Sequence, residues 1–294
     1  MQILQSTKTS RVYYFDSLYD AVNRKTPQEF YDAGGDPEGT KETYFHGVPL
    51  DTYKSVIFAN EQCEDLRKRK AEFDHEMITL DAPSLTDGVT LGTQEYGDEV
   101  WDMVSFIQGE DECMLDMRFD VAATPHVRLL FDISATASVE ESAMIARAKA
   151  FLALVDALHR SGTAVTLDVA FASCYITSKR YNAVHIVNVL KSTEQVDMRK
   201  MFYILGCREG LRRMMFKIQE TCYHETDKML KDAKIKDTDS YWQGRGQGNK
   251  EWMSDVNLSD RYDMSVCTTM TRNNHGHEMA ANLINRAREL RLIA

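Results

Sequence analysis

The chain has 294 residues, enough for two ordinary domains or one large one. With 43% hydrophobic and 27% charged residues, 5 Pro and 15 Gly, its composition is globular and excludes collagen-like, disordered and low-complexity classes. No run approaches the roughly eighteen apolar residues of a membrane span, and Met1 to Ser17 lacks the pattern of a secretory leader. Six cysteines, at positions 63, 113, 174, 207, 222 and 267, form no CxxC pair and read as reduced thiols, as expected of a cytoplasmic protein. The net charge of −10 is uneven: residues 1–120 carry 25 acids and 11 bases, the remainder 20 acids and 24 bases. An acidic chain is a poor general binder of duplex nucleic acid, yet the basic second half leaves room for a local site.

Residues 1–120 read as an acidic, α-rich, irregular region. Helical spacing runs over Asp16 to Tyr31 and Asp51 to Met77, separated by a turn-rich loop at Ala33 to Pro37. In the second helix Tyr53, Val56, Ile57, Cys63 and Leu66 share a face, and Arg67 to Lys70 form a basic cluster. Asp81 to Tyr96 reads as loop or short strand, and Trp101 to Ile107 as a short amphipathic piece.

The pattern changes at Thr124-Pro125, opening a second region over 121–294. Val127, Leu129, Leu130, Phe131 and Ile133 make an apolar run, as in a strand buried on both faces of a parallel sheet. Ser138 and Glu141 fit a capping box. The helix that follows has an apolar stripe of Met144, Ile145, Ala148, Phe151, Leu152, Val155 and Leu158, and Gly162 ends it. Val165 to Phe171 and Ala183 to Leu190 are the next strands, joined by a turn at Ser178 to Arg180, giving a crossover unit followed by a hairpin. Helices are expected over Val196 to Leu205, Arg208 to Lys231 and Glu278 to Leu292. A Gly-dotted stretch runs from Asp239 to Asp255, and a strand is expected over Asp263 to Thr269.

Between the first strand and the long helix stands Asp132-Ile133-Ser134-Ala135-Thr136. A carboxylate and two hydroxyls at alternating positions offer hard oxygens of the kind Mg²⁺ prefers. The run resembles the DxSxS loop of von Willebrand factor A-like domains, here as DxSxT, and the resemblance extends over Val127 to Thr193. It implies an α/β fold with a doubly wound, mostly parallel sheet and a metal-ion-dependent adhesion site. Asp132, Ser134 and Thr136 would be ligands to Mg²⁺, with Thr193, or Ser192 beside it, from the second loop. The family's third loop supplies an Asp; the strand candidate near Thr268, Thr269 and Thr271 has none, so the implied site is degenerate.

A second constellation is basic and aromatic. Arg199, Lys200, Arg208, Arg212, Arg213 and Lys217 are interleaved with Phe202, Tyr203 and Phe216. Arg245 and Lys250 stand among Tyr241, Trp242 and Trp252. Cations that track phosphates beside rings that stack on bases suit single-stranded nucleic acid. Other signals are weak: His275-Gly276-His277-Glu278 reads as a polar helix start, Gly244-x-Gly246-x-Gly248 has no preceding strand, and Cys174 with His185 is no nucleophile assembly.

The expected function is a non-enzymatic binding and recruitment protein that engages a protein partner through the Asp132 loop. One alternative is a phage single-stranded-DNA-binding transcription factor that recruits an RNA polymerase, since the compact sequence resembles phage proteins. Another is a Mg²⁺-dependent phosphoryl hydrolase using Asp132, against which the missing third carboxylate counts.

Overall fold

A computed structural model describes residues 1–32, 46–75, 89–94, 100–101, 114–119, 125–136, 138–176, 180–232, 252, 256, 258–266 and 285–290. The chain opens with a hairpin of β1 (Gln2–Ser6) and β2 (Ser10–Phe15), whose turn is closed by the Thr7 hydroxyl accepting from the Ser10 amide at 2.9 Å. Further on come β6 (His126–Asp132), β7 (Ala164–Ile176), β8 (Arg180–Leu190) and β9 (Met264–Val266). These join in one six-stranded sheet of order β1-β2-β8-β7-β6-β9. Between the hairpin and β6, β3 (Val89–Gln94), β4 (Val100–Trp101) and β5 (Met114–Phe119) form a separate antiparallel sheet.

The large sheet is mixed, which corrects the expected doubly wound, mostly parallel arrangement. β6 pairs parallel with both β7 and β9, and β2 pairs parallel with β8, but the β7–β8 and β1–β2 pairings are antiparallel. The β7–β8 hairpin reverses direction and β2 then joins β8 in its own direction, so β2 and β8 run against the other four strands. The aromatic run Val12-Tyr13-Tyr14-Phe15 belongs to this sheet and not to an α-rich prelude. Its Val12, Tyr13 and Phe15 are buried, and the sheet takes strands from both sides of the 120/121 boundary.

Several expected helices are present but interrupted. The segment read over Asp16 to Tyr31 is α1 (Leu18–Asn23) and α2 (Gln28–Asp32), divided before Pro27, whose ring disfavours helix in the residue that precedes it. The next is α3 (Leu50–Phe58) and α4 (Glu64–His75), divided near Asn60, which adopts φ +61°. The long α5 (Glu141–Arg160) connects β6 to β7, and Gly162 at φ +79° reverses the chain after it, a conformation that favours glycine. The expected capping box is not formed: the Ser138 hydroxyl bonds the Thr136 hydroxyl at 3.1 Å, and the helix has no side-chain cap. After β8 come α6 (Met198–Gly206), a π-helical turn (Gly210–Met215), α7 (Phe216–Thr221) and α8 (Tyr223–Asp232). Of the closing helix, residues 285–289 are helical, while Trp101 ends β4 and residues 102–107 lie outside the described residues.

The two faces of the sheet carry different cores. On one, Leu129, Phe131, Val169 and Val187 pack with α5, α6 and α3 through residues such as Phe151, Leu152, Phe202 and Val56. α5 is buried nearly all round, including Ala150 and Leu154 opposite the predicted stripe, because other helices cover its outer side. On the second face Val12, Leu130, Ala170, Val184 and Ile186 are covered by Trp252, Val256, Leu258 and Tyr262. Among the described residues no helix is long and apolar enough to cross a membrane.

Candidate functional site

Asp132 ends β6 with its side chain on the second face of the sheet, fully buried. Both carboxylate oxygens are engaged: Oδ1 accepts from the Ser134 amide at 2.8 Å and Oδ2 from the Trp252 indole N–H at 2.9 Å. The Ser134 hydroxyl accepts from the Ala172 amide at 2.8 Å, tying the loop to β7. Thr136 is half-buried and bonded to Ser138. Thr193 is exposed and lies at the other end of the sheet. It follows Leu190, which aligns through Leu167 with Leu129, three residues before Asp132. That offset is about 10 Å along the strand before the loop begins.

These residues do not fit a magnesium ion. A hard cation needs oxygens turned to a common point, whereas this carboxylate and serine hydroxyl are turned to donors of the protein. The four expected ligands are not gathered, because the antiparallel return of β8 carries its end away from Asp132. The run acts instead as an anchor for the segment that covers the second face.

A second buried carboxylate anchors the same segment. Asp168 in β7 accepts from the Tyr262 hydroxyl at 2.9 Å, Asn188 Nδ2 at 2.8 Å and Arg128 at 3.2 Å. Burial, then the Asp168 charge, pushes the Tyr262 phenol upward, so it remains a donor. Asp168 was hidden inside a strand that reads as apolar.

The basic stretch does not form a phosphate-binding surface among the described residues. Arg213 is fully buried and donates to the Gly47 and Val48 carbonyls, each at 3.1 Å. Arg212 is buried against the Val139 carbonyl, and burial, then Arg208, lowers its pKa. Arg208 pairs with Glu141 at 2.7 Å, Arg199 donates to the Val56 carbonyl, and the half-buried Lys217 donates to Thr26. Trp252 is fully buried on Asp132 and has no face for a base. Tyr241, Trp242, Arg245 and Lys250 lie outside the described residues.

Glu141, Cys207 and Glu209 bring ligand-type atoms within 4.8 Å of one another, a cluster that sequence spacing alone did not reveal. The cation among them is already a guanidinium: Arg69 Nη1 lies 2.7 Å from Glu141 and 2.8 Å from Glu209. Glu209 also accepts from the Val48 amide at 3.0 Å. Its carboxylate lies so close to Gly47, at φ +76°, that a Cβ there would sit 2.0 Å from Oε1. Burial, then Glu209, raises the Cys207 thiol well above its ordinary value, keeping it protonated and a poor metal ligand. The cluster joins α4, α5 and the turn after α6, and with Arg208 on Glu141 its two carboxylates meet two guanidinium groups.

Lys200 differs from the rest of the basic stretch. Among the described residues its ammonium makes no hydrogen bond or ion pair; it lies 5.8 Å from the centre of the Phe58 ring. It lines a pocket of about 120 Å³ just beyond the carboxyl ends of the parallel pair β2 and β8. The pocket lining combines the buried Leu18, Asn188 and Val189 and the half-buried Phe58 with the exposed Asp16, Lys191 and Glu194. Tyr19, 58% exposed, meets Phe58 edge to face at 5.2 Å. Lys191 was not singled out from the sequence, since a single lysine after a strand carries no signal.

Residues 5–244, about four fifths of the chain, match a family described as a domain of unknown function, DUF7192. No curated protein and no solved structure matches the chain. The chain belongs to the DUF7192 family.

Proposed function

We propose that this chain is a binding and recruitment protein that engages a protein partner at the pocket between the ends of β2 and β8. The observation that carries this reading is Lys200. Of the six cations from Arg199 to Lys217, five donate to an acceptor inside the fold, whereas the Lys200 ammonium stands over Phe58 at the pocket wall. Carboxyl ends of parallel strands are where α/β sheets receive ligands. At about 120 Å³ the pocket is well below the roughly 300–1,000 Å³ of drug-sized sites. It suits one anchoring side chain of a protein surface, with Tyr19 as an aromatic contact at the rim.

The order β6, α5, β7, β8, with β9 parallel on the far side of β6, supports the von Willebrand factor A-like resemblance for the backbone. It lends no support to the metal-dependent form of adhesion.

A photo-crosslinking residue (p-benzoylphenylalanine) in place of Tyr19 tests the reading in cells that make the full chain. A discrete protein adduct is expected there, lost on Lys200→Glu. It is not expected from the same residue at Lys8, in the turn at the opposite end of β2. No adduct at Tyr19, or equal adducts at both positions, would overturn the reading.

A further inference from the structure

We infer that the partner's anchor is a side-chain carboxamide, that of Gln or Asn, donating to Asn188 Oδ1 and accepting from the Lys200 ammonium. This rests on the reading of the pocket as a protein-docking site and names the chemistry that enters it. The observation that carries it is the way Asn188 is held. The residue lies in β8, is 5% exposed and lines the pocket. Its Nδ2 faces three oxygens: Asp168 Oδ1 at 2.8 Å, the Leu190 carbonyl at 3.2 Å and the Leu167 carbonyl at 3.4 Å.

A flipped amide would turn Oδ1 onto those same oxygens, one of them a buried carboxylate, so the orientation is fixed. Oδ1 accepts no hydrogen bond among the described residues. A held acceptor on a nearly buried side chain calls for a donor.

The charges of the lining exclude most donors. Two carboxylates, Asp16 and Glu194, stand against two ammoniums, Lys191 and Lys200. An anchoring ammonium or guanidinium would satisfy Asn188 but oppose Lys200. A carboxylate would satisfy Lys200 but bring no donor to Asn188, and it would oppose Asp16 and Glu194. A neutral group matches a balanced lining and loses less on leaving water.

Among neutral side chains, the carboxamide carries its donor and its acceptor on separate arms, whereas a hydroxyl puts both on one atom. The two groups it meets also stand on separate elements, Asn188 on β8 and Lys200 on α6. A pocket of about 120 Å³ takes one such side chain.

The test reads weak contacts by disulfide exchange on the full chain. Tyr19→Cys places a thiol in the pocket lining, and Tyr31→Cys, at an exposed tyrosine that does not line it, gives the reference. Each is equilibrated in 2-mercaptoethanol with short alkyl thiols ending in a carboxamide, methyl ester, carboxylate, ammonium or hydroxyl. Adducts are located by peptide mass spectrometry. Relative to Tyr31→Cys, the carboxamide is expected to give at least three times more adduct than any other group. Lys200→Met should shrink its lead over the ammonium while the circular dichroism spectrum is unchanged. Its lead over the ester, which has no donor for Asn188, should persist in that variant.

Equal adducts from carboxamide and methyl ester would overturn the inference. So would a lead for the carboxylate, the ammonium or the hydroxyl. If the photo-crosslink at Tyr19 forms while the carboxamide shows no lead, the anchor is wrong and the docking site stands. If both fail, both readings fall.

Discussion

The Asp132 loop and the Lys200 pocket lie at opposite ends of the same sheet and look reversed in promise. The loop has the better sequence motif, yet its hydrogen-bonding capacity is spent on the Ser134 and Trp252 donors and on the Ala172 backbone. The pocket has no motif at all, yet it holds the cation of the basic stretch that has no acceptor among the described residues. A polar group can act on a ligand only if folding has not already consumed it. The same residue types serve as structural anchors when buried and paired, because leaving them unpaired costs more than the bond itself returns.

Removing the Asp132 carboxylate should have the largest effect on this contrast. Asp132→Ala strands the buried Trp252 indole N–H and the Ser134 amide, each worth about 1–3 kcal/mol, so a loss of roughly 2–6 kcal/mol is expected in urea unfolding. A loss below about 1 kcal/mol would mean that the loop is not the anchor described. Trp252→Phe keeps most of the apolar cover and removes one donor to a charged acceptor, for which about 1.5–3 kcal/mol is expected.

The smallest effect should come from the pocket. Lys200→Met should change stability by no more than about 0.5 kcal/mol, as for surface positions outside a bonded network, while abolishing partner binding. Saturating Mg²⁺ provides the complementary test, since an ion bound only by the folded chain raises the unfolding midpoint. No rise is expected. A rise lost on Asp132→Ala would restore the adhesion-site arrangement and reverse the comparison.

Much of the backbone between Val127 and Leu190 was legible before the structure. Continuous apolar runs mark strands covered on both faces, and the three- and four-residue spacing around Phe151 and Leu152 marks the long helix. The interruptions of the N-terminal helices were less legible, although Pro27 signals one of them. The candidate site was mostly illegible. Arg212 and Arg213 look like surface cations in sequence because long charged side chains are exposed by default. The carbonyls of Gly47, Val48 and Val139 that receive them come from more than sixty residues away.

By itself, then, the amino-acid sequence determined local matters: where strands and the long helix form, that Gly162 ends that helix, and that a carboxylate and hydroxyls cluster after β6. These follow from side-chain periodicity and backbone preference, which act over a few residues. Only the tertiary structure decided that β2 joins β8 in parallel and that Trp252 closes over Asp132. It also decided that Arg69 is the cation between Glu141 and Glu209, and that the Lys200 ammonium stands over the Phe58 ring. Each of these is a pairing between residues far apart in the chain, and such pairings depend on burial and distance, which no local pattern encodes.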